Sequence, residues 1–399
     1  MLSEPRAAQA GDDIRSALPD DWQRATLLGR IDLGHGPTPV LLRDGELADL
    51  SHAAPTISQL LNRFEPGAAL PAGTPLGALD RLGLAPAWQQ PDALPRLLAP
   101  VDLHCIKAAG VTFAVSALER VIEERARGDA GAAQSIREAL AERVGADLSR
   151  IKPGSEQAEK LKQALISDGL WSQYLEVAIG PDAEIFTKAP ILSSVGWGDH
   201  VGVRADSSWN NPEPEVVVIC DGHGRVRGAT LGNDVNLRDF EGRSALLLAK
   251  AKDNNASCAI GPFIRLFDKD FTIDDVRRAE VELRVEGEDG FRLRGSSNMA
   301  KISRDPLDLA AQAFGANHQY PDGFALFLGT MFAPIEDRDA PGRGFTHKPG
   351  DHVTVASPRL GALSNRVTFC SDAPPWRFGV ASLMTNLAQR GLLAAPAGN

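Results

Sequence analysis

The sequence predicts a mostly β protein of the α+β class, and three observations support this. Short runs of β-branched or aromatic residues, bounded by turn residues, recur after Ile185. The 399 residues include 38 glycines and 27 prolines, which suits a fold of many short strands and turns. Hydrophobic residues make up 43% and charged residues 24%, as in ordinary folded domains, so a disordered chain is excluded.

The first 98 residues are predicted to form a small N-terminal domain with a proline-rich linker, followed by a large domain over 99–399. Apolar runs such as Val40–Leu42, next to a turn signal at Asp44–Gly45, predict short strands joined by a hairpin. Residues Thr56 to Phe64 predict a short helix.

A helical insertion is predicted over about residues 115–175. Apolar residues recur there at spacings of three and four, and Gly128 and Gly131 divide the first part into two helices. A further helix is predicted to begin near Ser155 and to end near Gly169. Two interpretations stay open for this insertion: a cap or lid over a site, or helices that simply pack on a sheet.

The rest of the large domain is predicted to be β. Six runs indicate strands: Val201–Val203, Val216–Cys220, Val226–Leu231, Val281–Val285, Phe324–Phe327 and Val353–Val355.

Charge and cysteine content narrow the function classes. The net charge is −10 and no basic run stands out, so a nucleic-acid partner is not expected. No stretch approaches the ~20 apolar residues that cross a bilayer, and the N-terminus lacks the apolar core of a secretion signal. The four cysteines have no C-x-x-C spacing, which predicts reduced thiols in a cytoplasmic protein.

Three carboxylates are predicted to converge on one side of a hairpin. Glu213 and Glu215 precede an apolar strand two residues apart, so both side chains lie on one face. A turn follows at 221–224 and leads into a second strand. If this hairpin is symmetric about Gly222–His223, Glu213 pairs with Gly232 and Asp234 pairs with Asn211, which brings Asp234 to the same face.

Such a cluster predicts a cation site. Three neighbouring carboxylates repel one another unless a cation lies between them. Ligation by oxygen atoms alone selects a hard ion, Mg²⁺ first, with Mn²⁺ or Ca²⁺ as substitutes. The alternative is a solvated acidic strand end with no ion.

The motifs around these acids resemble the fumarylacetoacetate hydrolase superfamily, in the family's order over about residues 102–367. The resemblance implies the family's mixed β-sandwich roll, assembled as a homodimer or homotetramer. The motifs that carry it are Trp209-Asn210-Asn211-Pro212-Glu213-Pro214-Glu215, Gly232-Asn233-Asp234-Val235, Lys252 with Cys258 and Gly261-Pro262, Leu328-Gly329-Thr330, Pro349-Gly350-Asp351, and Gly361-Ala362-Leu363 with Asn365.

The resemblance also implies residue roles. Glu213, Glu215 and Asp234 match the family's metal ligands. Lys252 matches the lysine beside the metal, and Thr330 matches the threonine that holds the substrate carboxylate. For Lys188, which matches a lysine commonly found before the first acid, a structural ion pair and a substrate role stay equally open.

One departure bears on the reaction. The family's C–C bond hydrolases carry Asn-Tyr-x-x-His-x-x-Glu, whereas this chain has Ser116 in place of the histidine and keeps Glu119. Serine is no general base at neutral pH, which counts against C–C hydrolysis. The Gly-Val-Thr-Phe opening before Ser116 and the Trp-Asn-x-Pro-Glu-Pro-Glu run resemble the 2-keto-3-deoxy-pentonate dehydratase branch.

The expected reaction is therefore metal-dependent dehydration of a 2-keto-3-deoxy-pentonate to 2-oxoglutarate semialdehyde. Lys252 would remove the C3 proton to give a metal-stabilised enolate, and Glu119 would protonate the departing C4 hydroxyl. An acylpyruvate or 2,4-diketo acid hydrolase is the main alternative. Decarboxylation or tautomerisation of an oxo acid, and a non-catalytic small-molecule binder, are weaker alternatives.

Overall fold

A computed structural model describes residues 13–133, 136 and 151–393. Its strands are β1 (Leu27–Asp32), β2 (Pro37–Arg43), β3 (Glu46–Asp49), β4 (Thr74–Ala78), β5 (Arg96–Leu98), β6 (Cys105–Gly110), β7 (Glu184–Ala189), β8 (His200–Val203), β9 (Asn210–Asn211), β10 (Pro214–Cys220), β11 (Val226–Asp234), β12 (Asn236–Leu237), β13 (Cys258–Leu266), β14 (Glu280–Glu286), β15 (Arg292–Asn298), β16 (Phe324–Phe327), β17 (His352–Ser357) and β18 (Gly361–Phe369). Its α-helices are α1 (Ile57–Arg63), α2 (Ala114–Ala126), α3 (Glu156–Ser167), α4 (Gln173–Ile179), α5 (Arg238–Glu241), α6 (Leu248–Lys252), α7 (Ile273–Val276), α8 (Pro306–Ala313) and α9 (Val380–Gln389). Short 3-10 helices lie at Ile14–Ala17, Leu79–Arg81, Ala245–Leu247 and Met299–Lys301.

Two sheets enclose the main core. The larger has eleven strands in the order β4-β3-β2-β1-β13-β11-β10-β16-β6-β7, with β5 paired to β1, and the smaller has five in the order β15-β14-β17-β18-β8. Apolar side chains from both sheets, such as Leu231 from the larger and Leu283 from the smaller, belong to one buried cluster. The mostly β prediction is confirmed, and each of the six predicted runs lies in a strand.

The β10–β11 hairpin positions the acidic residues, but its predicted register is wrong by two residues. Glu215, not Glu213, lies opposite Gly232. One residue of this difference comes from a turn centred on His223, in which the amide of Asp221 bonds the carbonyl of Arg225 at 3.0 Å. The other comes from a one-residue register shift at Ile219/Cys220. Because a shift of two residues preserves the alternation of faces, the prediction that the carboxylates share a face is unaffected.

The N-terminal strands extend the larger sheet. The predicted hairpin turn is confirmed at Asp44 and Gly45, whose φ angles of 51° and 83° suit a two-residue hairpin loop. The predicted helix is also confirmed, since the Thr56 side chain caps α1. Strand β1 pairs with β13, with Leu27 opposite Arg265. The domain boundary at residue 98 stays a prediction.

The helical insertion packs around its own small apolar cluster. That cluster joins α2 to α4, for example through Val121 and Leu175, and includes Trp209 from the main domain. Helix α3 begins after the Ser155 cap, and Gly169 follows its end with a φ of +67°, as predicted. The predicted helix after Gly131 falls mostly on residues 137–150, which lie outside the described part of the chain.

No helix within residues 13–133 and 151–393 is long and apolar enough to span a bilayer.

Candidate metal centre and active site

The three predicted carboxylates meet at the end of the β10–β11 hairpin. The amide of Asp234 donates to the carbonyl of Glu213 at 3.0 Å, so these two residues lie opposite each other, and Glu215 is one step further along the strand. Each residue offers an oxygen within 4.8 Å of the others. All three are buried, with at most 2% of the surface exposed. This excludes the alternative of a solvated strand end.

Two lysines lie against this triad. Nζ of Lys252, at the C-terminal end of α6, bonds Glu213 and lies 3.0 Å from Oδ2 of Asp234. Nζ of Lys188, at the end of β7, lies 2.7 Å from Oδ1 of Asp234 and donates to the backbone carbonyls of Val235 and Lys252. The contact with one carboxylate and the bonds to two backbone carbonyls favour the ion-pair interpretation of Lys188.

Glu215 is held by neutral donors. Its two oxygens accept from the amide of Gly329 at 2.8 Å and from the hydroxyl of Thr330 at 3.1 Å. Gly329 has a φ of +105°, and a Cβ at this position would lie 1.9 Å from the hydroxyl oxygen of Thr112. Only glycine therefore fits the turn that aims this amide at Glu215. The turn also places Thr330 at the Glu215 end of the triad.

The pKa values of Glu213, Glu215 and Lys252 follow from these different neighbours. Burial would raise the pKa of Glu213, but the charges of Lys252 and Arg120 lower it to about 2. Burial raises the pKa of Glu215 well above its usual range, and repulsion from Asp234 and Glu213 adds to the effect. Burial would lower the pKa of Lys252, but the charges of Asp234, Glu213 and Glu241 raise it above its ordinary value. The charged form of Glu213 is thus stabilised by cationic neighbours, whereas that of Glu215 is on balance disfavoured.

Sequence reasoning missed a second layer of buried charges on α2. The Arg120 guanidinium lies 2.5 Å from Glu213, 2.6 Å from Glu123 and 2.8 Å from Glu241. The spacing of Arg120 and Glu123 on a predicted helix could have suggested their pairing. No local pattern could have shown that Arg120 reaches Glu213, which is 93 residues away in the chain.

Arg238 connects α2 to the triad-bearing strands. Its side chain, 2% exposed, lies 2.7 Å from Glu119 and 2.6 Å from Glu123, and it lies over the Trp209 ring at 4.4 Å. Glu119 is only 7% exposed, so it is a buried acid and not part of a solvated helix surface. The insertion is thus linked to the carboxylate cluster by charge as well as by apolar packing.

The donor set fits a divalent cation. The triad presents only oxygen atoms, which hard ions such as Mg²⁺ prefer. A divalent cation at Glu213, Glu215 and Asp234 would also relieve the repulsion among these three carboxylates, which contributes to the raised pKa of Glu215.

Ser116 is bound within its own helix. Its hydroxyl donates to the carbonyl of Phe113 at 2.9 Å, three residues earlier. At the position where the C–C hydrolases carry histidine, this chain thus has a short side chain bonded to its own backbone. It cannot supply a general base there.

Replacing Arg238 by Met is expected to destabilise the protein by about 3–5 kcal/mol, because two buried carboxylates lose a cationic partner. Urea unfolding measures this change, and hydrogen exchange should show α2 losing the most protection. Arg243→Met is the matched control, since Arg243 also stacks on an aromatic ring, that of Phe240, but is exposed. Equal losses in the two variants would contradict the structural role of Arg238.

The comparisons with known proteins agree with the geometry. Residues 182–368 match the family "Fumarylacetoacetate (FAA) hydrolase C-terminal", which confirms the resemblance. A probable 2-keto-3-deoxyxylonate dehydratase of Haloferax volcanii is 31% identical over 195 residues, 49% of this chain and 63% of that protein. A 2-dehydro-3-deoxy-D-arabinonate dehydratase of Saccharolobus solfataricus is 32% identical over 180 residues, 45% of this chain and 57% of that protein. The match thus spans less than two thirds of each relative.

The fold is shared with a solved structure. A 2-keto-3-deoxy-D-arabinonate dehydratase complexed with magnesium and 2,5-dioxopentanoate superposes with a TM-score of 0.60 at 21% identity, over 86% of this chain and 99% of that one. This confirms the predicted mixed β-sandwich roll with its helical insertion and N-terminal strands.

Proposed function

We propose, from the match of residues 182–368 to the fumarylacetoacetate hydrolase family, that the chain is a Mg²⁺-dependent hydro-lyase of sugar-acid breakdown. It dehydrates a 2-keto-3-deoxy-pentonate to 2-oxoglutarate semialdehyde, also called 2,5-dioxopentanoate. The observation that carries the proposal is the buried carboxylate triad with Lys252 bonded to two of its members. The names of the two curated relatives support the same substrate class.

Glu213, Glu215 and Asp234 would hold the Mg²⁺ ion, with Mn²⁺ or Ca²⁺ as substitutes. A divalent cation there would supply Lewis-acid polarisation of the 2-oxo group, which makes the neighbouring C3 proton more acidic. Lys252 is the proposed base, with its Nζ at the triad. Nearby carboxylates raise its pKa, and a cation among the same carboxylates would oppose that effect.

The other residues position the substrate and the leaving group. Thr330 would orient the substrate carboxylate from the Glu215 end of the triad. Glu119 would give a proton to the C4 hydroxyl as it leaves, directly or through a water molecule. One water is lost in all, and tautomerisation then converts the C5 alcohol carbon to the aldehyde. Lys188 we assign to holding Asp234 and the end of α6 rather than the substrate.

The C–C hydrolase alternative is less well supported. It needs an activated water, and Ser116, bonded to its own helix, offers no base at the position of the family's histidine. Glu119 would have to act alone.

We further propose a cytoplasmic homodimer or homotetramer that acts on a small 2-oxo sugar acid, with neither nucleic acid nor membrane as partner. All four cysteines are free thiols, which suits a reducing compartment.

The test is an assay on 2-keto-3-deoxy-pentonates of both C4 configurations, with acetylpyruvate alongside, at graded Mg²⁺ concentrations and with chelator. Metal-dependent formation of 2,5-dioxopentanoate from one epimer is the expected result. Cleavage of acetylpyruvate alone would replace the dehydratase by the hydrolase. Absence of turnover on all three compounds would leave a metal-binding fold without this activity.

A further inference from the structure

Two buried asparagines lie one step beyond the carboxylate triad along the same pair of chain segments. Asn211 in β9 pairs with Asn236 in β12. This pair continues the register of the hairpin. In that hairpin Glu215 lies opposite Gly232, and two residues further along Glu213 lies opposite Asp234. The asparagine pair follows after another two residues. Residues two apart along a strand share a face, so the asparagines lie on the face that carries the triad.

The amide groups of these two residues are incompletely bonded. Both residues are fully buried, at 0% exposure. Within the described part of the chain, neither Oδ1 nor Nδ2 of Asn236 has a hydrogen-bond partner, and the same is true of Oδ1 of Asn211. Nδ2 of Asn211 donates to the carbonyl of Pro212 at 2.9 Å. Buried amides are normally paired, so these atoms are available to a ligand.

Resting on the proposed function, we propose that Asn211 and Asn236 bind the terminal C5 hydroxyl of the substrate and determine specificity for it. A hydroxyl both donates and accepts, and the pair offers two acceptor oxygens and the NH2 group of Asn236. Successive steps of the ladder are about 6.6 Å apart. An extended chain from C2 to the C5 oxygen spans about 5 Å, and a hydrogen bond adds about 2.8 Å. A 2-oxo acid with C2 at the Glu213–Asp234 step therefore reaches the asparagines with its far end.

This assignment gives the substrate one direction. Thr330 and Glu215 lie at one end of the ladder, where the substrate carboxylate would bind. Lys252 lies at the middle step, beside Glu213 and Asp234, where the C3 proton would be removed. The amides of Asn211 and Asn236 lie at the other end of the ladder. They would bind there beside C5, the carbon that becomes the aldehyde.

The test compares a 2-keto-3-deoxy-pentonate with 4-hydroxy-2-oxopentanoate, which keeps the C4 leaving group and lacks the C5 hydroxyl. We expect Asn236→Ala and Asn211→Ala to lower kcat/KM for the first by about 10–100-fold, as loss of a buried hydrogen bond does, and to leave the second nearly unchanged. The thermal midpoint of Asn236→Ala should stay the same or rise, because the amide it removes has no partner in the protein.

The matched control is Asn365→Ala. Asn365 is also buried, but its amide donates to the carbonyls of Gly196 and Asp199. Its loss should lower the thermal midpoint without changing the ratio between the two substrates. An equal loss on both substrates in the Asn211 and Asn236 variants, or a lower midpoint with unchanged discrimination, would overturn the proposal.

Failure of the proposed dehydratase function can be distinguished from failure of the proposed role of the asparagines. If the wild-type protein turns over neither acid, the dehydratase proposal falls, and calorimetric binding of the two acids in the presence of Mg²⁺ decides the role of the amides alone. Tighter binding of the hydroxylated acid by the wild type but not by Asn236→Ala supports that role. Equal binding of both acids, or the same preference in both proteins, contradicts it.

Discussion

Asp234→Asn is expected to abolish metal binding and turnover together. The substitution removes the charge of a buried carboxylate, a proposed metal ligand, that also pairs with Lys188 and Lys252. Loss of an outer-shell partner typically weakens metal affinity 10–100-fold, and loss of a ligand should exceed about 100-fold. Calorimetric titration with Mg²⁺ and Mn²⁺ measures the affinity, and the dehydratase assay measures the turnover.

The control for this substitution is Asp221→Asn. Asp221 is likewise a buried aspartate on the same hairpin, but it lies at the opposite end of β10, where it pairs with Arg225 and Arg227. This variant is expected to lose stability and to keep wild-type metal affinity. Unchanged Mg²⁺ and Mn²⁺ binding by Asp234→Asn would remove Asp234 from the ligand set.

Lys252→Met is expected to abolish turnover and to leave metal binding in place. A positioned general base contributes about 10²–10⁴-fold to a rate, so kcat should fall at least that far. Metal binding survives because the triad is intact, with Arg120 still at Glu213 and Lys188 still at Asp234. Single-turnover kinetics and calorimetric titration with Mn²⁺ on the same preparation separate the two effects.

Lys250→Met provides the comparison for Lys252. Lys250 lies on the same short helix but is exposed and rests on the Phe240 ring. It should keep full activity. Turnover retained by Lys252→Met would exclude Lys252 as the base, and activity lost only in parallel with metal affinity would make it a structural partner of the triad.

Local periodicity, together with a hairpin register of the right parity, predicts the convergence of the triad. Period-two alternation placed Glu213 and Glu215 on one face, and any hairpin register of the right parity adds Asp234. The register itself could not be predicted, because it depends on a bulge at Ile219/Cys220 that no turn signal specifies. The strands were predictable for the same local reason, whereas their order in two sheets depends on long-range pairing.

The buried charges on α2 could be predicted only in part from the sequence. Spacing predicted the helix, and the family resemblance singled out Glu119. Arg120 was not predicted, because its role depends on Glu213 and Glu241, which come from distant segments. The burial of Glu119 and Glu123 on α2 is explained by Arg238, which pairs with both of them.

The pairing of β1 with β13 has a consequence for dissecting the chain. Strand β13 begins six residues after Lys252, and β1 covers part of one of its edges, at Ile264 and Arg265. A chain cut at residue 99 would leave unpaired backbone amides and carbonyls on that edge, beside wholly buried, largely apolar positions. An exposed strand edge of this kind is a template for edge-to-edge aggregation. The first 98 residues thus shield part of the strand that follows Lys252, and the two pieces are poor candidates for separate expression.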